Sequence, residues 1–329
     1  MTQDESPKTY FVTGCAGFIA NRVANFLLDA GHNVVGIDNM NDYYDVTLKQ
    51  HRLDKLTHDN FTFYHEDLED RGALKKIMDA HSFDAIINLA ARAGVRYSMV
   101  NPTVYMTTNA MANLYLLEEM KDRGIKKYIL ASTSSLYAGQ EMPFTESLAV
   151  NTPISSYAAS KKAAEMMAHS HHFLYGIDVS VVRYFTVYGP AGRPDMCIFR
   201  FIKWIDEGVP IELFGDGTQS RDFTFVDDIA RGTIAALKPI GFEVVNLGGG
   251  NQPISLLTII EKLENLLGKK ALIENQPFHK ADIKETWADI SKADRLFDWK
   301  PTVSLDDGLV QCVDWHKNNQ PWSSEILLP

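Results

Sequence analysis

The organisation of this 329-residue chain follows from Thr9-Tyr10-Phe11-Val12-Thr13-Gly14-Cys15-Ala16-Gly17-Phe18-Ile19-Ala20. The β-branched and aromatic side chains of residues 9–13 predict a buried strand, and the apolar spacing after Gly17 predicts an amphipathic helix that ends near Gly31. Glycines at such a turn let backbone amides approach a pyrophosphate, which the helix N-terminus stabilises through its partial positive charge. Turn glycines are also common without any ligand, so the spacing alone leaves a purely structural turn open.

Strands and helices alternate along the segments that follow. Predicted strands occupy 34–38, 61–64, 85–90, 128–132 and 179–183, and predicted helices occupy 71–81, 109–123 and 155–175. This alternation predicts an α/β fold with a Rossmann-type doubly wound parallel sheet. A last helix over 223–237 and a strand over 244–247 are expected to return to that sheet. We therefore expect a dinucleotide-binding domain of residues 1–183 plus 222–250, and a smaller α/β substrate-binding domain of residues 184–221 plus 251–329.

The composition restricts the classes of function. Hydrophobic residues make up 45% of the chain, so a disordered or fibrous protein is not expected. Lys and Arg total 32 against 42 Asp and Glu, and the resulting net charge of −10 argues against binding to nucleic acid or an anionic membrane. Cys15, Cys197 and Cys312 have no metal-binding spacing. We expect no metal site, no membrane-spanning segment and a cytoplasmic location.

The end of the second predicted strand carries an acid that indicates the cofactor. Asp38 follows Ala20 by 18 positions, close to the distance at which a carboxylate accepts hydrogen bonds from the adenosine ribose. A carboxylate there would repel a 2′-phosphate, so the pattern favours NAD over NADP. An exposed acid at a strand end is the alternative. Asp67 ends the third strand and is expected either to meet the adenine edge or to serve only as a turn residue.

A second group of residues indicates proton-transfer chemistry. Tyr157 and Lys161 are four positions apart on a predicted helix, so their side chains emerge on one face. A neighbouring ammonium favours the phenolate, which lets a tyrosine act as a base near pH 7. Residues 132–135 are all Ser or Thr and end a predicted strand, where open α/β sheets bind ligands. Thr133 is our choice for the hydrogen bond to the reacting oxygen. By spacing alone, a chance pair of Tyr and Lys stays open.

These residues resemble the extended short-chain dehydrogenase/reductase superfamily, the NAD-dependent epimerase/dehydratase family, over nearly the whole chain. The shared motifs are Thr13-Gly14-Cys15-Ala16-Gly17-Phe18-Ile19, Asn88-Leu89-Ala90-Ala91, Ser132-Thr133-Ser134-Ser135-Leu136-Tyr137, Tyr157-Ala158-Ala159-Ser160-Lys161 and Arg221-Asp222-Phe223. Within the family, the UDP-glucuronate 4-epimerases are most similar. That similarity is carried by residues 38–45, 93–98 and 185–190, and most specifically by Gly192-Arg193-Pro194-Asp195-Met196.

The resemblance implies a tightly held NAD and a UDP-sugar substrate whose C4 centre is inverted through a transient 4-keto sugar. It assigns Tyr157 as base and then acid, Lys161 as its partner, and Thr133 as the residue that orients O4. The implied cofactor contacts are Gly14, Gly17, Phe18, Ile19, Asp38, Asn39, Asp67, Leu68, Leu89, Ala90, Ala91, Tyr157, Lys161 and Tyr184. The implied substrate contacts are Arg96, Ser134, Ser135, Thr186, Arg193, Phe214, Arg221 and Asp282.

The same resemblance favours one second step over others. Related dehydratases and decarboxylases carry acids just after the catalytic threonine, where this chain has Ser134 and Ser135. Arg193, with Thr186, is expected to bind the carboxylate of a uronic acid with a forked pair of hydrogen bonds. Contact with a phosphate, or bracing of its own loop, is the alternative for Arg193. Phe214 is expected to stack on uracil or to be a core residue, and Arg221 is expected to contact the diphosphate.

Several functions stay open. The chain departs from the usual glucuronate pattern at Arg92, Ala138, Ala191 and residues 278–281. UDP-glucose or UDP-N-acetylglucosamine 4-epimerisation, UDP-glucuronate decarboxylation and non-catalytic sensing of NAD are the alternatives. Apolar, Met-rich segments over 109–121 and 155–168 favour a homodimer, unless those side chains face the sheet instead.

Overall fold

The computed structural model describes residues 6–278 and 283–328. The strands are β1 (Thr9–Thr13), β2 (Asn33–Asp38), β3 (Phe61–His65), β4 (Ala85–Asn88), β5 (Lys127–Thr133), β6 (Asp178–Tyr184), β7 (Thr186–Tyr188), β8 (Ile211–Phe214), β9 (Ser220–Arg221), β10 (Phe223–Phe225), β11 (Phe242–Leu247), β12 (Ile254–Ser255), β13 (Ile273–Gln276) and β14 (Glu285–Thr286). The helices are α1 (Phe18–Asp29), α2 (Val46–Leu53), α3 (Arg71–Ala80), α4 (Val95–Val100), α5 (Pro102–Tyr105), α6 (Ala112–Arg123), α7 (Ser156–Tyr175), α8 (Cys197–Glu207), α9 (Val226–Ala235), α10 (Leu256–Leu267), α11 (Ser291–Phe297), α12 (Leu305–Asn318) and α13 (Trp322–Glu325).

In the described part of the chain, seven parallel strands form the central sheet in the order β11-β6-β5-β4-β1-β2-β3. Side chains of β1 alternate between its faces. Val12 packs with Val23 of α1 and Ile229 of α9, whereas Phe11 packs on the other face with Leu116 of α6 and the helices around it. Helices therefore cover both faces, which confirms the doubly wound fold. The strand order reverses between β1 and β4, and ligands bind at such a switch point.

The remaining strands form small sheets beside the central one. β7 pairs with β10, β8 pairs with β13, and β9 pairs with both β12 and β14. Their apolar side chains pack with α8, α10 and α12 in a separate hydrophobic cluster, which includes Tyr188, Phe201, Ile260 and Leu309. The boundaries of a two-domain division stay a prediction. No helix in residues 6–278 or 283–328 combines the length and apolar character needed to cross a bilayer.

The structure corrects three predicted elements. The helix expected over 223–237 is the strand β10 followed by α9, because residues 223–225 pair in parallel with β7 before the helix begins. The helix expected from residue 109 has a π-helical turn at Met106–Met111 before α6 begins. β4 ends at Asn88 instead of residue 90, because the amides of Leu89 and Ala90 turn to the side-chain oxygen of Thr13.

Candidate active site

The glycine turn, residues 14–17, lies at the carboxyl end of β1. Gly14 has a φ of +71°, and a Cβ built on it would lie 2.8 Å from the Cα of Ala90. A Cβ on Gly17 would lie 2.8 Å from the carbonyl oxygen of Gly14, to which the Gly17 amide donates at 2.7 Å. Side chains at either position would displace the turn. The two glycines are therefore required for its compact shape, which leaves the N-terminus of α1 accessible to a pyrophosphate.

The residues expected to meet the adenosine half of NAD lie together at the ends of β2 and β3. Asp38 is buried, and its carboxylate accepts hydrogen bonds from the Ala16 amide at 3.2 Å and the Met40 amide at 2.9 Å. Asn39 donates to the Asp67 carboxylate at 2.8 Å, so these two side chains join the ends of neighbouring strands. A carboxylate at the end of β2, beside a tight glycine turn, fits the ribose and pyrophosphate of NAD.

Residues that follow β4 lie next to the glycine turn. The Thr13 hydroxyl donates to the Asn88 side chain at 2.7 Å and accepts from the amides of Leu89 at 3.1 Å and Ala90 at 3.0 Å. These bonds hold Leu89 and Ala90 against the glycine turn, where Ala90 lies beside Gly14. Phe18 and Leu68 are buried, and Ile19 and Tyr184 join the same hydrophobic cluster as α1. The predicted cofactor residues thus converge on one edge of the sheet.

Tyr157, Lys161 and Thr133 also converge there. Lys161 is buried on α7 and donates through Nζ to the Ala131 carbonyl at 3.0 Å. Burial lowers the pKa of Lys161 to about 8, and the Glu165 carboxylate opposes that shift. Burial raises the pKa of the Tyr157 phenol, whereas a hydrogen bond with Thr133 and the positive charge of Arg193 act in the opposite direction. The environment thus contains two groups that favour the phenolate.

A buried ion pair lies behind these groups. Arg183 of β6 donates to Glu165 of α7 through Nε at 2.9 Å and Nη2 at 2.7 Å. Their side chains are 3% and 1% exposed, respectively. Ser132 donates to Glu165 at 2.6 Å, and Arg183 also donates to the Tyr137 hydroxyl at 2.8 Å. This network joins β5, β6 and α7 directly beneath Thr133 and Lys161.

The loop of residues 189–195, which we call the arginine loop, follows β7. Its Arg193 forms a forked ion pair with Asp195, with Nε 3.0 Å from Oδ1 and Nη2 bonded to Oδ2. Arg193 and Thr186 line one pocket, together with Val187, Tyr188, Gly189, Gly192, Met196, Cys197, Ile198, Phe199, Ile202, Phe223, Cys312, Trp315 and His316. Because Arg193 also influences the pKa of Tyr157, the structure brings the expected carboxylate-binding group close to the expected base.

The other predicted substrate residues are more dispersed. Ser134 and Ser135 begin a 3₁₀ turn after β5, and the Ser135 amide donates to the Thr133 hydroxyl at 3.1 Å. The guanidinium of Arg96 lies 3.7 Å from the ring centroid of Phe214, so Arg96 covers a face of the ring expected to stack on uracil. Arg221 donates to the carbonyl oxygens of Ser220 at 2.8 Å and Lys284 at 3.2 Å.

The remaining positions singled out in the sequence lie outside the described residues or make other contacts. Asp282 lies outside the described residues, as do His279 and Lys280. Arg92 donates to the Asn41 side chain at 3.0 Å.

Sequence reasoning missed Glu165, Arg183 and Arg52. An acid four residues after Lys161 and a charge inside an apolar strand were available signals for the first two, but nothing in the sequence marked Arg52.

Comparisons with known proteins identify the same family that the sequence motifs indicate. The family model of the NAD dependent epimerase/dehydratase family matches residues 10–248. The UDP-glucuronate 4-epimerase of Thermodesulfobacterium geofontis is 61% identical over 94% of this chain and 96% of its own length. UDP-glucuronic acid 4-epimerase from Bacillus cereus, solved in complex with UDP-glucuronic acid and NAD, superimposes with a TM-score of 0.89 at 40% identity, over 94% of this chain and 99% of that one. UDP-glucose 4-epimerase from Thermotoga maritima, solved with UDP-glucose, has a TM-score of 0.87 at 30% identity over the same shares.

The position of Asp38 generates a prediction about cofactor choice. Replacing its carboxylate in Asp38→Ser removes a charge-assisted acceptor worth about 1.5–3 kcal/mol, so the Kd for NAD should rise by roughly 10- to 100-fold. The Kd for NADP should fall, since the repulsion of a 2′-phosphate is lost. Isothermal titration calorimetry on protein stripped of nucleotide measures both constants.

Asp84→Ser is the matched control. The Asp84 carboxylate accepts a hydrogen bond from the Thr9 amide at 2.8 Å, at the opposite edge of the same sheet. Its NAD affinity should equal that of the unaltered protein. An Asp38→Ser protein with unchanged preference for NAD would contradict the assignment.

Proposed function

The chain belongs to the NAD-dependent epimerase/dehydratase family, and we propose that it is a UDP-glucuronate 4-epimerase, interconverting UDP-glucuronate and UDP-galacturonate with bound NAD. One observation carries the proposal: Tyr157 lies at the carboxyl edge of the sheet, close enough to Thr133 and Arg193 for both to lower the pKa of its phenol against the effect of burial. A base and a group suited to a sugar carboxylate are therefore close together. The 61% identity to the Thermodesulfobacterium geofontis enzyme supports the same substrate.

The cofactor would be held by residues at the ends of β1, β2, β3 and β4. The turn containing Gly14 and Gly17 suits the pyrophosphate, and Asp38 suits the adenosine ribose. When bound, NAD supplies a reversible acceptor for the hydride on C4 of the sugar. Because the hydride is returned to the same sugar, the reaction has no net oxidation. A cofactor that stays bound through the cycle serves this chemistry best.

The protein's own groups manage the proton. Tyr157 accepts the proton of the 4-hydroxyl as that carbon becomes a ketone, and returns it after the keto sugar has turned its other face to the cofactor. Thr133 orients O4 and favours the phenolate of Tyr157. Lys161 contributes a positive charge one helical turn away, and a pKa of about 8 leaves it mostly protonated at neutral pH. Over the whole cycle, only the configuration at C4 of the sugar changes.

The residues after Thr133 favour return of the hydride over a further reaction. Ser134 and Ser135 form the 3₁₀ turn there, and neither side chain has the acidity of a carboxyl group. Elimination of water requires an acid and a base beside the keto sugar. Without such groups in this turn, reduction of the keto sugar is the simplest outcome, which is epimerisation.

Arg193 explains a preference for a uronic acid. Asp195 occupies the edge of the Arg193 guanidinium formed by Nε and Nη2, so the substrate carboxylate would accept from the remaining N–H groups, through charge-assisted bonds that a neutral hydroxymethyl group cannot form. Thr186 lines the same pocket and can donate a further hydrogen bond. Arg221 and Phe214 are assigned to the diphosphate and uracil. Because Arg96 covers one face of the Phe214 ring, uracil would stack on the other face or take the place of Arg96.

We also propose a homodimer that uses the outer surfaces of α6 and α7. Met111, Met166, Met167, Phe173 and Leu174 are exposed on or next to these helices, although most apolar side chains of α6 face the core. Burying this apolar surface against a second copy would stabilise the assembly. Light scattering should give the mass of two chains, and the mass of one chain would refute the proposal.

A cytoplasmic location and a role in polysaccharide biosynthesis complete the proposed function. Cys15, Cys197 and Cys312 are free thiols, which suits a reducing compartment. UDP-galacturonate is an activated sugar donor, so its consumers would be enzymes that transfer galacturonate to a growing glycan.

The central test is incubation of the purified protein with UDP-glucuronate in the absence of added NAD. Chromatography with mass detection should show a new peak of unchanged mass that co-elutes with UDP-galacturonate. Tyr157→Phe removes the proton acceptor and should lower kcat by about 10²- to 10⁴-fold. Tyr175→Phe, on the exposed end of the same helix, is the control and should retain full activity. A lighter product would indicate decarboxylation, and turnover restricted to UDP-glucose would indicate a neutral-sugar epimerase.

The environment of Tyr157 predicts a pH effect. The reaction requires the phenolate, so activity falls as the pH drops below the pKa of Tyr157. Thr133→Val removes the hydrogen bond that lowers this pKa, so the acidic limb of the kcat/KM profile should move to higher pH. Thr145→Val is the control, because within the described part of the chain the Thr145 hydroxyl bonds to Ser147 alone, in an exposed contact. A lower kcat/KM with an unmoved limb would show that Thr133 does not influence the base.

A further inference from the structure

Arg52 of α2 makes an unusual set of contacts. Its side chain is buried, with a residue exposure of 3%. Nη1 donates to the Ala16 carbonyl at 3.2 Å and the Tyr44 hydroxyl at 2.6 Å. Nε and Nη2 donate to the Ala191 carbonyl at 3.0 and 2.8 Å, and Nη2 also reaches the Gly192 carbonyl at 3.1 Å. All three nitrogens of the guanidinium are therefore used.

The acceptors belong to two separate parts of the site. Ala16 lies inside the glycine turn that suits the cofactor, whereas Ala191 and Gly192 lie in the arginine loop immediately before Arg193. Ala191 has a φ of +51°, a conformation that residues with a side chain adopt only when their surroundings hold them. The forked bonds from Arg52 to its carbonyl provide such a constraint.

Arg52 contacts backbone carbonyls and aromatic rings. Among the described residues, no carboxylate accepts a hydrogen bond from Arg52, and its charge is instead met by backbone carbonyls and by the rings of Tyr44 at 5.4 Å and Phe18 at 5.8 Å. A planar guanidinium with donors on several edges can bridge two loops at once, whereas a lysine ammonium cannot reproduce that geometry. The contacts therefore suit a bridge between backbone segments better than a simple ion pair.

We propose that Arg52 is a positioning residue, which couples the cofactor-binding glycine turn to the arginine loop and so places Arg193 for recognition of the substrate carboxylate. This inference rests on the proposed function. Arg52 itself need not touch the substrate. It holds the carbonyl of Gly192, one peptide before Arg193, and a shift of about 1 Å at such a group is enough to weaken a reaction severely.

The proposal predicts a selective defect. Arg52→Met has a similar length but no donors, and Arg52→Lys keeps the charge without the fork. In both variants, the Kd and KM for UDP-glucuronate should rise at least tenfold, whereas the Kd for UDP-glucose, which has no carboxylate for Arg193, should change less than threefold. The amount of NAD retained after purification should also fall, because the glycine turn loses its contact.

Arg22→Met is the matched control. Arg22 forms a forked ion pair with Asp227, with both N···O distances at 2.7 Å, and joins α1 to α9. Removing it deletes a comparable pair of bonds without touching the arginine loop. Its ratio of UDP-glucuronate to UDP-glucose affinity and its NAD content should match those of the unaltered protein.

Binding by calorimetry, NAD content and thermal melting are measured for all four proteins. If Arg52→Met does not fold, Arg52→Lys decides the question. An equal rise in the Kd for UDP-glucuronate and for UDP-glucose would indicate a general structural role and overturn the proposal. An unchanged ratio of the two Kd values together with full NAD content would overturn it as well. Failure of the proposed function is distinguishable, because the unaltered protein would then form no UDP-galacturonate from UDP-glucuronate, whatever the Arg52 variants bind.

Discussion

The buried ion pair between Glu165 and Arg183 is the interaction on which the arrangement of the active site depends. Burial of two charges is tolerated only when they satisfy each other, and removal of one partner from such a pair costs about 3–5 kcal/mol. Here the pair also accepts a bond from Ser132 and donates one to Tyr137. Glu165 and Arg183 lie next to Thr133 on β5, Lys161 on α7 and Tyr184 on β6. The residues that would touch cofactor and sugar are therefore held by one polar network under the sheet edge.

Much of the fold was predictable because its elements are long and periodic. β1 has the bounds that its side chains predict, and α7 begins within one residue of the expected position. The small sheets were not predictable for a physical reason. β9, β12 and β14 are two residues each, too short for an alternating pattern to appear. Their pairing depends on chain segments far apart in sequence, as with Ser220 and Glu285.

The same distinction applies to the site: residues related by a short sequence spacing could be predicted, whereas contacts between residues far apart in the chain could not. Tyr157 and Lys161 could be predicted as a pair because one turn of helix relates them, and Asp38 as a cofactor contact because it ends a strand at a typical distance from the glycine turn. Arg52 gave no such signal, since its acceptor at Ala191 lies 139 residues away and is a backbone carbonyl, which every residue possesses. The position of Arg96 on the ring of Phe214 was equally hidden, because 118 positions separate the two residues.

The ion pair between Arg193 and Asp195 has a consequence for how selective the proposed enzyme can be. A site rejects an incorrect substrate most strongly when binding leaves a buried charge or donor without a partner. In this structure Asp195 already satisfies Nε and Nη2 of Arg193. A neutral sugar would therefore not leave the guanidinium unpaired, and discrimination would rest on the added attraction between a uronate carboxylate and Arg193. Because that attraction depends on where the guanidinium sits, preference for the acidic sugar is expected to depend on the backbone of the arginine loop as much as on Arg193 itself.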